Sequence, residues 1–203
     1  MDEELRGELV RRAQADSAAV QAFLDTAEDF RGEWTPESEA PWPYSLLEWT
    51  PVETAPDPVR HVLDVVRDNT GWLRVLVAER GWPGRSLVGQ DGIDAAWLIL
   101  QHTGSGVPTI GTPENLAFQA TCVPLLRDAV RNGEADPWHL AHIVDNLHAR
   151  AAEPAEYAVL NTAYVHHGDT VVLRPDLDPS TIDESRRQIG LHPIAEELRR
   201  RRG

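Results

Sequence analysis

Three polar side chains stand where helical periodicity calls for apolar ones: Asn69, His102 and Gln119. Each lies on the inward stripe of a different predicted helix, and a polar group buried there must find hydrogen-bond partners. A buried histidine near neutral pH can take up or give back a proton, so His102 is the candidate general acid or base. Gln101, its neighbour, and Gln119 are candidates for orienting a substrate, as is Asn69. Asp145 is the carboxylate expected to pair with the histidine or with a cationic group, although its helical phase points away from the apolar face of its own helix. The chemistry implied is proton transfer, with no metal and no cofactor.

Two other groups of residues carry chemistry of a different kind. His139 and His142 lie three apart and meet on one helix edge with Asn146, so they could share a metal. Zinc needs a third ligand, and no His-Glu-x-x-His signature occurs, so the expectation is an exposed edge, with metal-dependent hydrolysis as a subordinate alternative. His166 and His167 are adjacent in a predicted strand and face opposite ways, so they make no joint site. There is no Gly-x-Ser-x-Gly elbow, and Cys122 reads as a small core residue inside a helix.

The elements that must position these residues are mostly helices. Leu5, Leu9, Ala13, Val20 and Phe23 set a first helix over about 2–29, its stripe interrupted by Asp16 and Ser17. Asp57-Pro58 opens a second helix with Val59, Val62, Leu63, Val66, Leu73 and Val77 on its stripe, and Gly81 ends it. After the tight connection Trp82-Pro83-Gly84, a third helix starts near Asp91 and runs to His102. Thr112-Pro113 and Asp136-Pro137 open a fourth and a fifth, the fourth carrying Pro124 inside its pattern, where it should kink the helix. Residues 163–174 read as a β-hairpin with its turn near Gly168-Asp169, and two short helices follow. The predicted architecture is a mostly α, single-domain helical bundle of about five main helices over 1–203. It carries a small C-terminal β-hairpin and a helical tail, together spanning 157–203.

Residues 30–56 interrupt this order with five prolines, three tryptophans and five acidic residues, too proline-rich for a helix and too aromatic for a solvated linker. This acidic insertion is either a loop pinned by its indoles or an arm that binds a basic protein partner. The second option is the alternative reading of the whole chain as a non-catalytic interaction protein.

Composition excludes several functions. The net charge is −14, which disfavours nucleic-acid binding. All 19 basic residues are arginine, so there is no lysine for a Schiff base or for a Walker-type phosphate loop. The single cysteine rules out an intrachain disulfide. No apolar run approaches the roughly 18 residues that span a bilayer, and the acidic N-terminus lacks a signal-peptide pattern, so no membrane association and a cytoplasmic location are expected.

The order Asn69, Leu73, Gly81-Trp82-Pro83, Ser86-Leu87-Val88-Gly89, Ala95-Ala96-Trp97-Leu98, Gln101-His102, Gln119, Leu125-Leu126 and Asp145 resembles a bacterial family known as domain of unknown function 6624. The likeness runs over roughly 57–150 and the closing segment with Leu191 and Pro193. It implies a helical fold and no particular reaction, and it marks His102, Gln119 and Asp145 as positions of interest. Family-like sequences carry Gln-x-Tyr-Gly-Thr-Gln after the fifth helix, where this chain reads Glu156-Tyr157-Ala158-Val159-Leu160-Asn161-Thr162. Tyr157 matches the tyrosine and joins the candidates for substrate binding; the glutamines are replaced. The expectation is an enzyme acting on a small molecule or peptide in specialised biosynthesis, with His102 and Asp145 as its acid/base pair.

Overall fold

The computed structural model describes residues 1–29, 57–104, 111–167 and 170–201. The insertion at 30–56 and the turn at Gly168-Asp169 lie outside the described residues. The described chain is mostly helical, as the periodicity predicts. Its helices are α1 (Glu3–Asp29), α2 (Asp57–Arg80), α3 (Arg85–Thr103), α4 (Pro113–Arg131) and α5 (Pro137–Arg150). A short 3-10 turn (Asn161–Ala163), strands β1 (Tyr164–His167) and β2 (Thr170–Leu173), and helices α6 (Pro179–Gln188) and α7 (Ile194–Arg200) complete it. These elements group into two compact units, Met1–Phe118 and Gln119–Gly203. No described helix is long and apolar enough to cross a membrane.

In the first unit α1 packs on α2 and α3, and α2 on α3. Ala19 and Phe23 of α1 meet Val59, Val62, Leu63 and Val66 of α2 in one buried cluster. Leu9, Leu73, Ile93, Ile99 and Leu100 have at most 1% of their surface exposed. Each aliphatic side chain of this kind contributes about 1.5–3 kcal/mol through burial. Buried Thr70 and Thr103 join α2 to α3 at 2.9 Å. Thr103 gives its proton to the Ile99 carbonyl, so Thr70 must be the donor between the two hydroxyls.

Helix α3 begins a turn earlier than the sequence suggests. Arg85 to Val88 form a first turn, and Gly89 then breaks the helical path at φ 73°, ψ −179°. The expected start near Asp91 marks the second segment. Gly92 cannot be replaced cheaply, because a Cβ there would stand 2.6 Å from the Cβ of Val88. Helix α4 runs through Pro124 without interruption.

In the second unit Asp136 caps α5, accepting from the Trp138 amide at 2.8 Å, with Pro137 in the first turn. The hairpin is antiparallel, with Tyr164 opposite Leu173 and His167 opposite Thr170. Tyr164, Val171, Leu177, Ile182 and Ile194 share a core with Ala158 and Ala163.

Three helix ends in this unit share one hydrogen-bond pattern. At Gly133, Ala152 and Gly190 the chain turns left-handed, with φ of 73°, 56° and 82°. In each, the next amide reaches back to the carbonyl five residues earlier: Glu134 to Ala129, Glu153 to His148, Leu191 to Arg186, at 2.8–2.9 Å. Glycine suits this position because it lacks the Cβ that makes the left-handed conformation costly. Ala152 holds it with an exposed methyl. Its strain is about 1–2 kcal/mol, and glycine's larger unfolded-state entropy offsets about 0.5–1 kcal/mol of that. Ala152→Gly is therefore expected to raise stability by about 0.5–1 kcal/mol in urea unfolding. A loss of about 1 kcal/mol, the usual result of glycine inside a helix, would contradict the strain.

Candidate functional site

Asp16 occupies a stripe position of α1, three residues after Ala13 and three before Ala19, and has no exposed surface. His102 lies in the last turn of α3, three residues after buried Ile99. The two meet across the first unit, with Nδ1 of His102 2.5 Å from Oδ1 of Asp16. The His102 side chain keeps 21% of its surface exposed. Among the described residues no group bonds its Nε2. Asn69, on α2 and 3% exposed, donates from Nδ2 to Oδ2 of Asp16 at 3.2 Å. Three helices thus converge on one buried carboxylate, and the imidazole it holds reaches solvent.

This arrangement has a definite chemical capacity. An ionised carboxylate accepts the Nδ1 proton, which fixes the imidazole tautomer and ring direction. Nε2 then carries the ring's lone pair and can accept a proton, and the buried carboxylate stabilises the imidazolium that results.

The other expected site residues are placed differently. Asp145 is expected to pair with the histidine or with a cationic group; the carboxylate on His102 is Asp16. Asp145 is 1% exposed, although its helix phase predicted a position away from the packed face. The segment 156–159 returns over that side of α5 and covers it. Oδ1 of Asp145 accepts from the amides of Glu156 and Tyr157, both at 2.9 Å, and Oδ2 from that of Val159 at 2.8 Å. Burial pushes its pKa above the ordinary carboxylate value, against the downward pull of the three amides and of His148. The carbonyls of the same segment are held as well: Tyr157 by Arg186 at 2.7 Å, Ala158 by the Tyr164 hydroxyl at 2.5 Å, Val159 by Arg201 at 2.9 Å. Ala158 adopts a left-handed φ of 51°.

Tyr157 is 1% exposed, and its hydroxyl accepts from Arg127 at 3.1 Å; burial raises its pKa, so it stays a phenol. Gln119 is fully buried and accepts from Asn146 at 3.2 Å. Both are engaged in the packing of the second unit. Asn69, expected to touch substrate, turns its amide onto Asp16. Gln101 is half-buried at the end of α3 beside His102. His139, expected on an exposed edge, is 7% exposed, and His142 is half-buried with its ring 5.1 Å from that of Trp138. Among the described residues no three His, Cys, Asp or Glu side chains stand together as a metal site.

The residue that sequence reasoning passed over is Asp16. Its signal was present, since an aspartate interrupting an apolar stripe is a buried polar group awaiting a partner.

The geometry makes Asp145 an organiser of backbone. In Asp145→Asn the new amide nitrogen would face at least one N–H donor in a buried place. A loss of about 1–3 kcal/mol is expected in chemical denaturation, and a larger loss for Asp145→Ala, which strands three amides. Unchanged stability of Asp145→Asn would contradict this role.

No curated protein and no solved structure matches the chain. One family model, described as a family of unknown function (DUF6624), matches residues 54–202. That span includes Asn69, His102, Gln119, Asp145 and Tyr157, and Asp16 precedes it. The chain belongs to this family of unknown function, DUF6624.

Proposed function

We propose that the protein is a bacterial, cytoplasmic enzyme of specialised biosynthesis that acts on a small molecule or peptide by metal-independent acid/base chemistry. His102 is the proton-transfer group through Nε2, and Asp16 is the carboxylate that orients and balances it. The observation that carries the reading is the 2.5 Å contact between a fully buried carboxylate and an imidazole whose other nitrogen is unbonded among the described residues. A carboxylate-held imidazole can abstract a proton at Nε2 and return it to a leaving group without assistance from a metal. Gln101, next to His102 and half-buried, orients the substrate in this reading.

The test is a turnover screen on chelator-treated protein with a panel of small-molecule esters, amides and short peptides. At least one compound is expected to react. Its rate should fall by about 10²–10⁴ in His102→Gln and substantially in Asp16→Asn, with both variants folded. Turnover that survives at the full rate in folded His102→Gln would contradict the assignment.

A further inference from the structure

We infer that Asn69 and Arg12 are positioning residues of the Asp16–His102 pair: together they hold the buried carboxylate from behind by one oxygen, so that the other stays turned to the imidazole. The inference rests on the acid/base reading above and deepens it. Asp16 offers only acceptors. The group on its far oxygen must therefore be a donor, and the amide of Asn69 is a donor only if its nitrogen, not its oxygen, points there.

Arg12 imposes that choice. A guanidinium has donors and no acceptor. Its Nη1 lies 3.1 Å from Oδ1 of Asn69, so the amide oxygen must face Arg12 and the amide nitrogen must face Asp16. Nδ2 also lies 3.4 Å from the Arg12 carbonyl, a second acceptor on the same residue. A flipped amide would set oxygen against carboxylate and N–H against guanidinium, two repulsions in one buried place. The chain of donation therefore has one direction, from Arg12 through Asn69 to Asp16.

Arg12 is itself fixed. Nε donates to Glu8 at 2.7 Å and Nη1 to Asp68 at 2.6 Å, and the guanidinium stacks 4.8 Å over the Trp72 ring. Its side chain is 12% exposed. A rigid fork anchored on α1 and α2 thus orients the amide, and the amide holds Oδ2 of Asp16. Oδ1 is left for His102, whose ring is carried by α3. The positive charge of Arg12, one amide away, also offsets the cost of burying the Asp16 carboxylate.

The test reads the proton on Nδ1 of His102 in the full-length protein, without substrate, by NMR exchange with solvent. In the wild type that proton is held by Asp16 and exchanges slowly. In Asn69→Leu and in Arg12→Met, which keeps an apolar stem over Trp72, Asp16 is freed to swing. Exchange at Nδ1 should then speed up about tenfold, the loss of one hydrogen bond to a charged group. The backbone amides of Ile99 and Leu100 should keep their wild-type exchange. Arg12→Lys, which retains a donor for the amide oxygen, should restore most of the protection. If both loss variants fold and leave Nδ1 exchange unchanged, or if α3 backbone exchange accelerates equally, Asn69 and Arg12 are merely structural. If the wild type shows no Asp16-dependent Nδ1 proton at all, the acid/base reading fails together with this inference.

Discussion

A carboxylate with no exposed surface sits at Asp16 in the helical core, and much of the first unit's polar architecture answers to it. An ionised group removed from water is tolerated only when hydrogen-bonded and electrostatically balanced. Two oxygens are served by two helices: His102 from α3 and Asn69 from α2. Arg12 supplies the nearby positive charge and the amide's orientation. The apolar contacts of Ala19 and Phe23 with Val59, Val62 and Val66 bring α1 and α2 together, but the buried acid selects which polar residues can meet there.

The second unit solves the same problem in another way. Asp145 spends both oxygens on the backbone amides of 156–159 and so shapes a loop. Arg186, 2% exposed, holds the loop from its carbonyl side. One buried aspartate is closed off by amides that do not titrate. The other is bonded to an imidazole whose side chain keeps 21% of its surface exposed. That contrast separates a carboxylate that organises backbone from one that holds a partly exposed side chain, although residue type and burial are the same.

Much of the fold was legible because local chemistry specifies it. Asp57-Pro58, Thr112-Pro113 and Asp136-Pro137 mark helix starts, and the alternation around Tyr164 and Val171 marks the hairpin. The polar positions on apolar stripes were legible too: Asn69 and Gln119 are buried and His102 is mostly so. Their partners were not. His102 and Asp16 are 86 residues apart, and which polar residue on a neighbouring helix lies at the right height depends on how the helices pack. Asp145 was misread because the periodicity of α5 says nothing of a later segment folding back over its polar side. Both failures concern contacts between elements, where single-helix patterns carry no information. The pairing also joins His102, inside the family-matched span, to an aspartate that precedes it.

The most direct measurement is the proton NMR spectrum of the wild-type protein in the downfield imidazole region, compared with His102→Gln and Asp16→Asn. The account predicts a solvent-protected Nδ1 resonance that disappears in His102→Gln and is lost or strongly shifted upfield in Asp16→Asn, with both variants folded. A resonance that persists unchanged in Asp16→Asn would contradict the account, since His102 would then be held by something other than the buried carboxylate.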